Sequence, residues 1–177
     1  MTIKTFNINT DKTAFVRAYL PDSIAGLSFC EKRPAVLIFP GGGYEYCSDR
    51  EGEPIALQYL ALGYAAFVVT YSCNERFPEP LMDAAYIFYK IRMRAEEFKI
   101  DPQKMAVLGC SAGGHLAGCL ATMWSDIALT KTIGCEPEDL RPNAAILCYP
   151  VISGVTAPHE GSFKVLLGED ASRSDLS

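Results

Sequence analysis

Histidine is nearly absent from this chain. Its 177 residues hold two, His115 and His159, beside a single tryptophan, so any imidazole base within these residues is one of two side chains. A long apolar run is lacking as well. The longest stretches, around 60–69 and 144–149, fall far short of the ~18 residues a membrane helix needs. The opening MTIKTFNINTDK has no apolar core of a secretory signal. There is no Lys/Arg-rich run, and 16 basic against 21 acidic residues leave a net charge of −5. That balance argues against nucleic acid or an anionic membrane surface as a partner. Seven cysteines, at 30, 47, 73, 110, 119, 135 and 148, include no C-x-x-C pair. An odd number scattered through apolar runs reads as free thiols in a reducing compartment, with neither a disulfide framework nor a zinc site. The expectation is a soluble cytoplasmic protein with no metal and no organic cofactor.

What is present is concentrated in the stretch 104–117, KMAVLGCSAGGHLA. A short apolar strand runs into Gly109-Cys-Ser-Ala-Gly113 and then into a helix of small residues. This is the G-x-S-x-G pattern in the strand–turn–helix context that gives it chemical meaning. A serine in so tight a turn projects its hydroxyl away from the backbone, and the crowding requires almost no side chain two residues to either side. The helix that starts there aims N–H groups and its positive dipole end at the same place. Ser111 is therefore the candidate nucleophile, and the N–H of Ala112 a candidate oxyanion donor. Cys110 points the other way and reads as packing.

A second element lies far away in sequence. The apolar run 35–39 ends in Pro40-Gly-Gly-Gly-Tyr44. Three glycines closing a buried strand leave backbone N–H groups uncovered, as a second oxyanion donor requires. Gly42 and Gly43 are the candidates, and Tyr44 is expected to line the substrate pocket. A nucleotide-binding loop is excluded: no Lys-Ser/Thr follows the glycines, and Tyr46 stands where G-x-G-x-x-G needs its third glycine.

On these residues the chain resembles the α/β-hydrolase superfamily, in the branch of small bacterial esterases similar to acetyl-xylan and feruloyl esterases and to the hormone-sensitive-lipase group. The resembling segments are PGGGYEYCSDREGEPIALQYLALGYAAFVVTYS, IDPQKMAVLGCSAGGHLAGCLAT and RPNAAILCYPVIS, within 35–153. Pro40 replaces the histidine of the lipase-like HGGG, which favours the carbohydrate-ester deacetylase branch. The resemblance implies a serine carboxylesterase acting through an acyl-enzyme on short acyl esters, with acetylated sugars the expected class. A catalytically inactive binding protein, or a peptidase or thioesterase on the same fold, stays open.

The fold expected is α/β, an α/β-hydrolase sheet, mostly parallel, with helices on both faces and without its last strands. Strands are predicted at 3–8, 14–20, 35–39, 64–70, 105–108 and 144–149, and helices at 54–62, 80–98 and 112–123. One domain, 1–177, is expected, with a cap region beginning near 154 and the C-terminal part missing. The resemblance implies the order Ser, Asp/Glu, His along the chain. His115, one turn up the elbow helix, reads as structural. His159 follows the sixth strand but precedes any seventh, so it reads as the start of the cap. Glu169, Asp170 and Asp175 lie too near the end to be placed as the orienting acid. The residues present thus hold half of an esterase site, with a base and its acid expected beyond Ser177. The strand at 144–149 would be an open edge, which a further segment or a homo-oligomer would cover.

Overall fold

A computed structural model describes residues 1–7, 14–23, 32–156 and 158–169. The strands are β1 (Thr2–Asn7), β2 (Phe15–Leu20), β3 (Arg33–Phe39), β4 (Ala65–Thr70), β5 (Ile100–Cys110) and β6 (Ala144–Cys148). They form one sheet in the order β1-β2-β4-β3-β5-β6. β2 pairs antiparallel with both β1 and β4, and every pairing from β4 to β6 is parallel. The helices are α1 (Glu53–Ala61), α2 (Glu79–Met93), α3 (Ala95–Phe98), α4 (Ala112–Met123), α5 (Ile127–Ile133), α6 (Pro137–Leu140) and α7 (Glu160–Leu167).

The period-2 geometry of a strand divides β3 between two cores. Ala35, Leu37 and Phe39 face one side with Phe67, Phe88, Ile91, Leu116 and Leu120, from β4, α2 and α4. Val36 and Ile38 face the other with Ala66, Leu108 and Ala56 of α1. Both faces are dry, which is why 35–39 is apolar without alternation. Pro34 is tolerated because the register shifts between Arg33 and Ala35. The two edges stay open: β1 is exposed along most of its length, and β6 leaves Ile146 36% and Leu147 39% exposed. Among the described residues no helix is long and apolar enough to cross a membrane.

Three sequence expectations need correction. The helix expected over 80–98 breaks at Arg94 (φ −103°, ψ 24°). The bend lets Phe98 stack on Phe6 and meet Phe67 edge-on, while the Arg94 guanidinium lies over the Phe6 and Phe98 rings. Tertiary ring packing outweighs the helical stripe. β5 begins at Ile100 rather than 105, because Ile100 pairs with Arg33 across a polar stretch that no apolar pattern marks. The helices α5, α6 and α7 had no counterpart in the expectation. Their signals are end signals: Asp126 accepts from the Leu129 N–H and Gly134 closes α5 in the left-handed region, while Glu136 and Asp139 form a capping box around Pro137. Buried Arg92 fastens α6 to the start of β5, donating to the carbonyls of Pro102, Glu138, Asp139 and Arg141. Position 8 of the first predicted strand, and Asp170 and Asp175 of the tail, lie outside the described residues.

Candidate active site

β5 delivers Ser111 directly into α4. The serine occupies φ 52°, ψ −119°, half-exposed, at the N-cap of the helix. Its backbone is fastened on both sides to the chain leaving β6. The Ser111 N–H donates to Cys148 O at 3.0 Å, and Ser111 O accepts from Val151 N–H at 3.2 Å as well as from His115 N–H at 3.0 Å. Ala112 opens α4, in the first turn whose N–H groups have no acceptor within the helix.

The glycine loop lies against this turn. A Cβ added to Gly41 would sit 2.9 Å from Ser111 Cβ and 2.7 Å from Cys110 O, so the two segments touch with no room for a side chain. Gly42 has φ 132°, and a Cβ there would fall 2.0 Å from Tyr46 O; only glycine fits. The loop is tied down from several directions. Gly42 O accepts from the N–H groups of Glu45 and Tyr46, Gly41 O from Ser48, and Pro40 O from the Tyr71 hydroxyl at 2.7 Å. Gly41 N–H is already committed to Glu51 Oε2 at 2.7 Å. Non-glycine residues with positive φ gather around the same place: Tyr44 (67°), Asn74 (59°), Ser111 and Tyr149 (35°). Asn74 supports the loop through its N–H to Tyr44 O and its side-chain amide to Glu45 O. Such clustering of strained backbone is what functional sites store.

Tyr44, expected to line the substrate pocket, is turned inward and 2% exposed. Its hydroxyl meets His115 Nδ1 at 2.7 Å, and its ring packs edge-on against Tyr71 and His115. Burial pushes the Tyr44 phenol well above its ordinary range, so it keeps its proton and donates to Nδ1. His115 is thereby held neutral inside the fold, in line with the structural role read for it. Burial lowers the His115 pKa, whereas the unfolded chain takes up its proton near pH ~6.5. Protonation then favours the unfolded state: the contribution is whole above about pH 6.5 and is lost as the pH falls towards the folded pKa. The drop in urea midpoint between about pH 7 and about pH 5 should therefore be smaller in His115→Gln than in the wild-type chain; equal drops would refute this.

His159 is exposed and caps α7, its Nδ1 accepting from the Ser162 N–H and meeting Ser162 Oγ at 2.9 Å. Ser162 lies 3.7 Å from where a Gly43 Cβ would be, and Phe163 packs on His115. The segment after 154 thus returns to the core beside the glycine loop. Sequence reasoning missed Glu51, Asn74 and Tyr149, whose partners are too distant along the chain for spacing to reveal, and Ser162, which the fold brings beside Gly43. A cavity of 610 Å³ on the outer side of the loop is lined by Pro40, Cys47, Gly52, Arg17 and Glu53 among others; Ser111 and Ala112 are not in its wall.

The BD-FAE family model matches residues 26–153. Endo-1,4-beta-xylanase B of Butyrivibrio fibrisolvens is 35% identical over 153 residues, 82% of this chain and 24% of that protein. The acetylxylan esterase of Xylanibacter ruminicola is 33% identical over 155 residues, 84% of this chain and 28% of that one. Among solved structures, an alpha/beta hydrolase enzyme from a Medee basin deep-sea metagenome library superposes with a TM-score of 0.73 at 45% identity. That superposition covers 85% of this chain and 57% of the other. The chain therefore spans about a quarter of the length of these two curated relatives, and its sheet is that of an α/β hydrolase.

Proposed function

The chain belongs to the BD-FAE family, and on that premise we propose that it carries the nucleophile and oxyanion hole of a serine carboxylesterase. The observation that carries the reading is Ser111 in a left-handed turn between β5 and α4, with the Gly41–Gly43 loop packed on it. Ser111 Oγ attacks the acyl carbon of an ester, and the carbonyl oxygen gains the negative charge. The N–H of Ala112 and that of Gly42 or Gly43 receive it; Gly41 is passed over because its N–H is spent on Glu51. Each such donor is worth ~2.7–4 kcal/mol in the transition state. Collapse releases the alcohol, which departs with the proton given up by the Ser111 hydroxyl, and leaves an acyl-serine. Water then adds to the acyl carbon, its hydroxyl going to the acid and its remaining proton back to Ser111 Oγ. Tyr44 acts from behind the loop, without touching substrate. His115 and His159 are engaged with Tyr44 and Ser162, and the proposal assigns neither as base. The acetylxylan esterase relative and Pro40 in place of the lipase-like histidine support acetylated carbohydrates as the substrate class.

The test is covalent labelling of the full-length protein with a fluorophosphonate followed by mass spectrometry of the peptides. The adduct is expected on Ser111 and should be lost in Ser111→Ala. An adduct on another serine, labelling undiminished by Ser111→Ala, or no adduct at all would overturn the assignment, the last outcome favouring a binding protein that retains the fold without the chemistry.

A further inference from the structure

Glu51 ends a short 3-10 turn, Asp49–Glu51, that neither the sequence motif nor the acyl-transfer chemistry calls on. Its carboxylate is nonetheless joined to both segments that flank Ser111. One oxygen, Oε2, accepts from Gly41 N–H at 2.7 Å, and the other, Oε1, accepts from the Tyr149 hydroxyl at 2.7 Å. Gly41 belongs to the loop leaving β3, and Tyr149 follows β6 at once. The same turn holds Gly41 a second time, since Ser48 N–H donates to Gly41 O at 2.9 Å. Both polar groups of Gly41 are therefore fixed by residues 48–51, in contact with the nucleophile turn. Tyr149 keeps φ 35° and is 67% exposed, so burial does not hold it there. The bond to Glu51 raises the pKa of its phenol, so the hydroxyl remains a donor.

A carboxylate beside a forming oxyanion opposes it electrostatically, which excludes a direct stabilising role. What it gives is geometry: a charge-assisted pair of short bonds that sets the loop at one distance from Ser111. We propose that Glu51 is a positioning residue, bridging Gly41 and Tyr149 so that the N–H groups of Gly42 and Gly43 are presented to the reacting carbonyl. This rests on the esterase reading of Ser111. Ionised glutamate can accept from both donors at once; glutamine at this position has one carbonyl oxygen and turns its NH₂ towards the other donor.

The experiment follows two readouts on the full-length protein, in wild type, Glu51→Gln and Tyr149→Phe. The first is amide NMR with hydrogen exchange at Gly41, Gly42 and Gly43. The second is the rate at which a fluorophosphonate labels Ser111. Loss of a charge-assisted bond predicts that Gly41 N–H moves upfield and exchanges about tenfold faster in Glu51→Gln, that the Gly42 and Gly43 signals shift with it, and that labelling slows about tenfold. Tyr149→Phe, which leaves the Gly41 bond in place, should change each in the same direction by less. It also decides the matter should Glu51→Gln fail to fold. Labelling slowed with unmoved glycine amides, or amides perturbed with labelling unchanged, overturns the positioning role. A wild-type chain that takes no label overturns the esterase reading instead, and the two failures are thereby told apart.

Discussion

Replacing Gly113 by alanine is expected to leave little or no folded protein. A Cβ at this position would lie 2.0 Å from Phe39 O, 2.4 Å from Pro40 O and 2.6 Å from Phe39 C. All three are backbone atoms at the end of β3, so no side chain can swing aside. Moving α4 away is not an escape, because Gly109 meets it from the other side: a Cβ there would fall 2.0 Å from Gly113 O. The first turn of α4 is thus wedged between β3 and β5, and any relief displaces Pro40 and the loop that follows it. The cost should exceed the ~4 kcal/mol that marks exceptional single substitutions, against a total stability of about 5–15 kcal/mol for a domain. Gly118→Ala is the control on the same helix. Its Cβ would make ordinary contacts, 3.6 Å to Leu147 Cδ1 and 3.9 Å to Ile152 Cδ1, so alanine's helix propensity should dominate and leave stability equal or raised by up to ~1 kcal/mol. Urea midpoints and soluble yield compare the two. Similar values for Gly113→Ala and Gly118→Ala would show that the elbow is not the tight junction described.

That junction was legible in the sequence because a steric requirement writes itself into residue type. Glycine at 109 and 113, and three glycines after a buried strand, are hard to explain without close backbone approach. The doubly covered sheet was legible for a similar reason: 35–39 and 65–70 have no polar alternation, and a strand wet on one face would. Where the reading failed, the deciding contacts were distant. The break at Arg94 exists because Phe6 and Phe67 receive Phe98, and nothing within 80–98 says so. Helices α5 and α6 are short and set by their caps, Asp126, Gly134 and Glu136, so no apolar stripe marks them. Glu51 carries no local signal of its role. Its partners lie 10 residues back, at Gly41, and 98 residues ahead, at Tyr149, and only the folded sheet brings them together.

Ser111→Gly should abolish fluorophosphonate labelling and at the same time make the chain more stable. At φ 52°, ψ −119° the serine backbone occupies a conformation that L-residues rarely adopt, with a strain of order 1–3 kcal/mol. Glycine removes the clash of Cβ with its own backbone, offset by ~0.5–1 kcal/mol for the greater freedom of glycine in the unfolded chain. A net gain of about 1 kcal/mol is expected, read as a higher urea midpoint at unchanged slope. Ser111→Ala is the decisive companion, since it deletes the same hydroxyl but keeps Cβ and therefore the strain. It should lose the label without the gain. Equal midpoints for the two variants would mean that the turn holds no stored strain, and that the left-handed serine is no evidence of selection for its aim. A gain confined to glycine would mean that the chain tolerates a less stable turn in order to present one hydroxyl, which a protein with no use for that hydroxyl has no reason to keep.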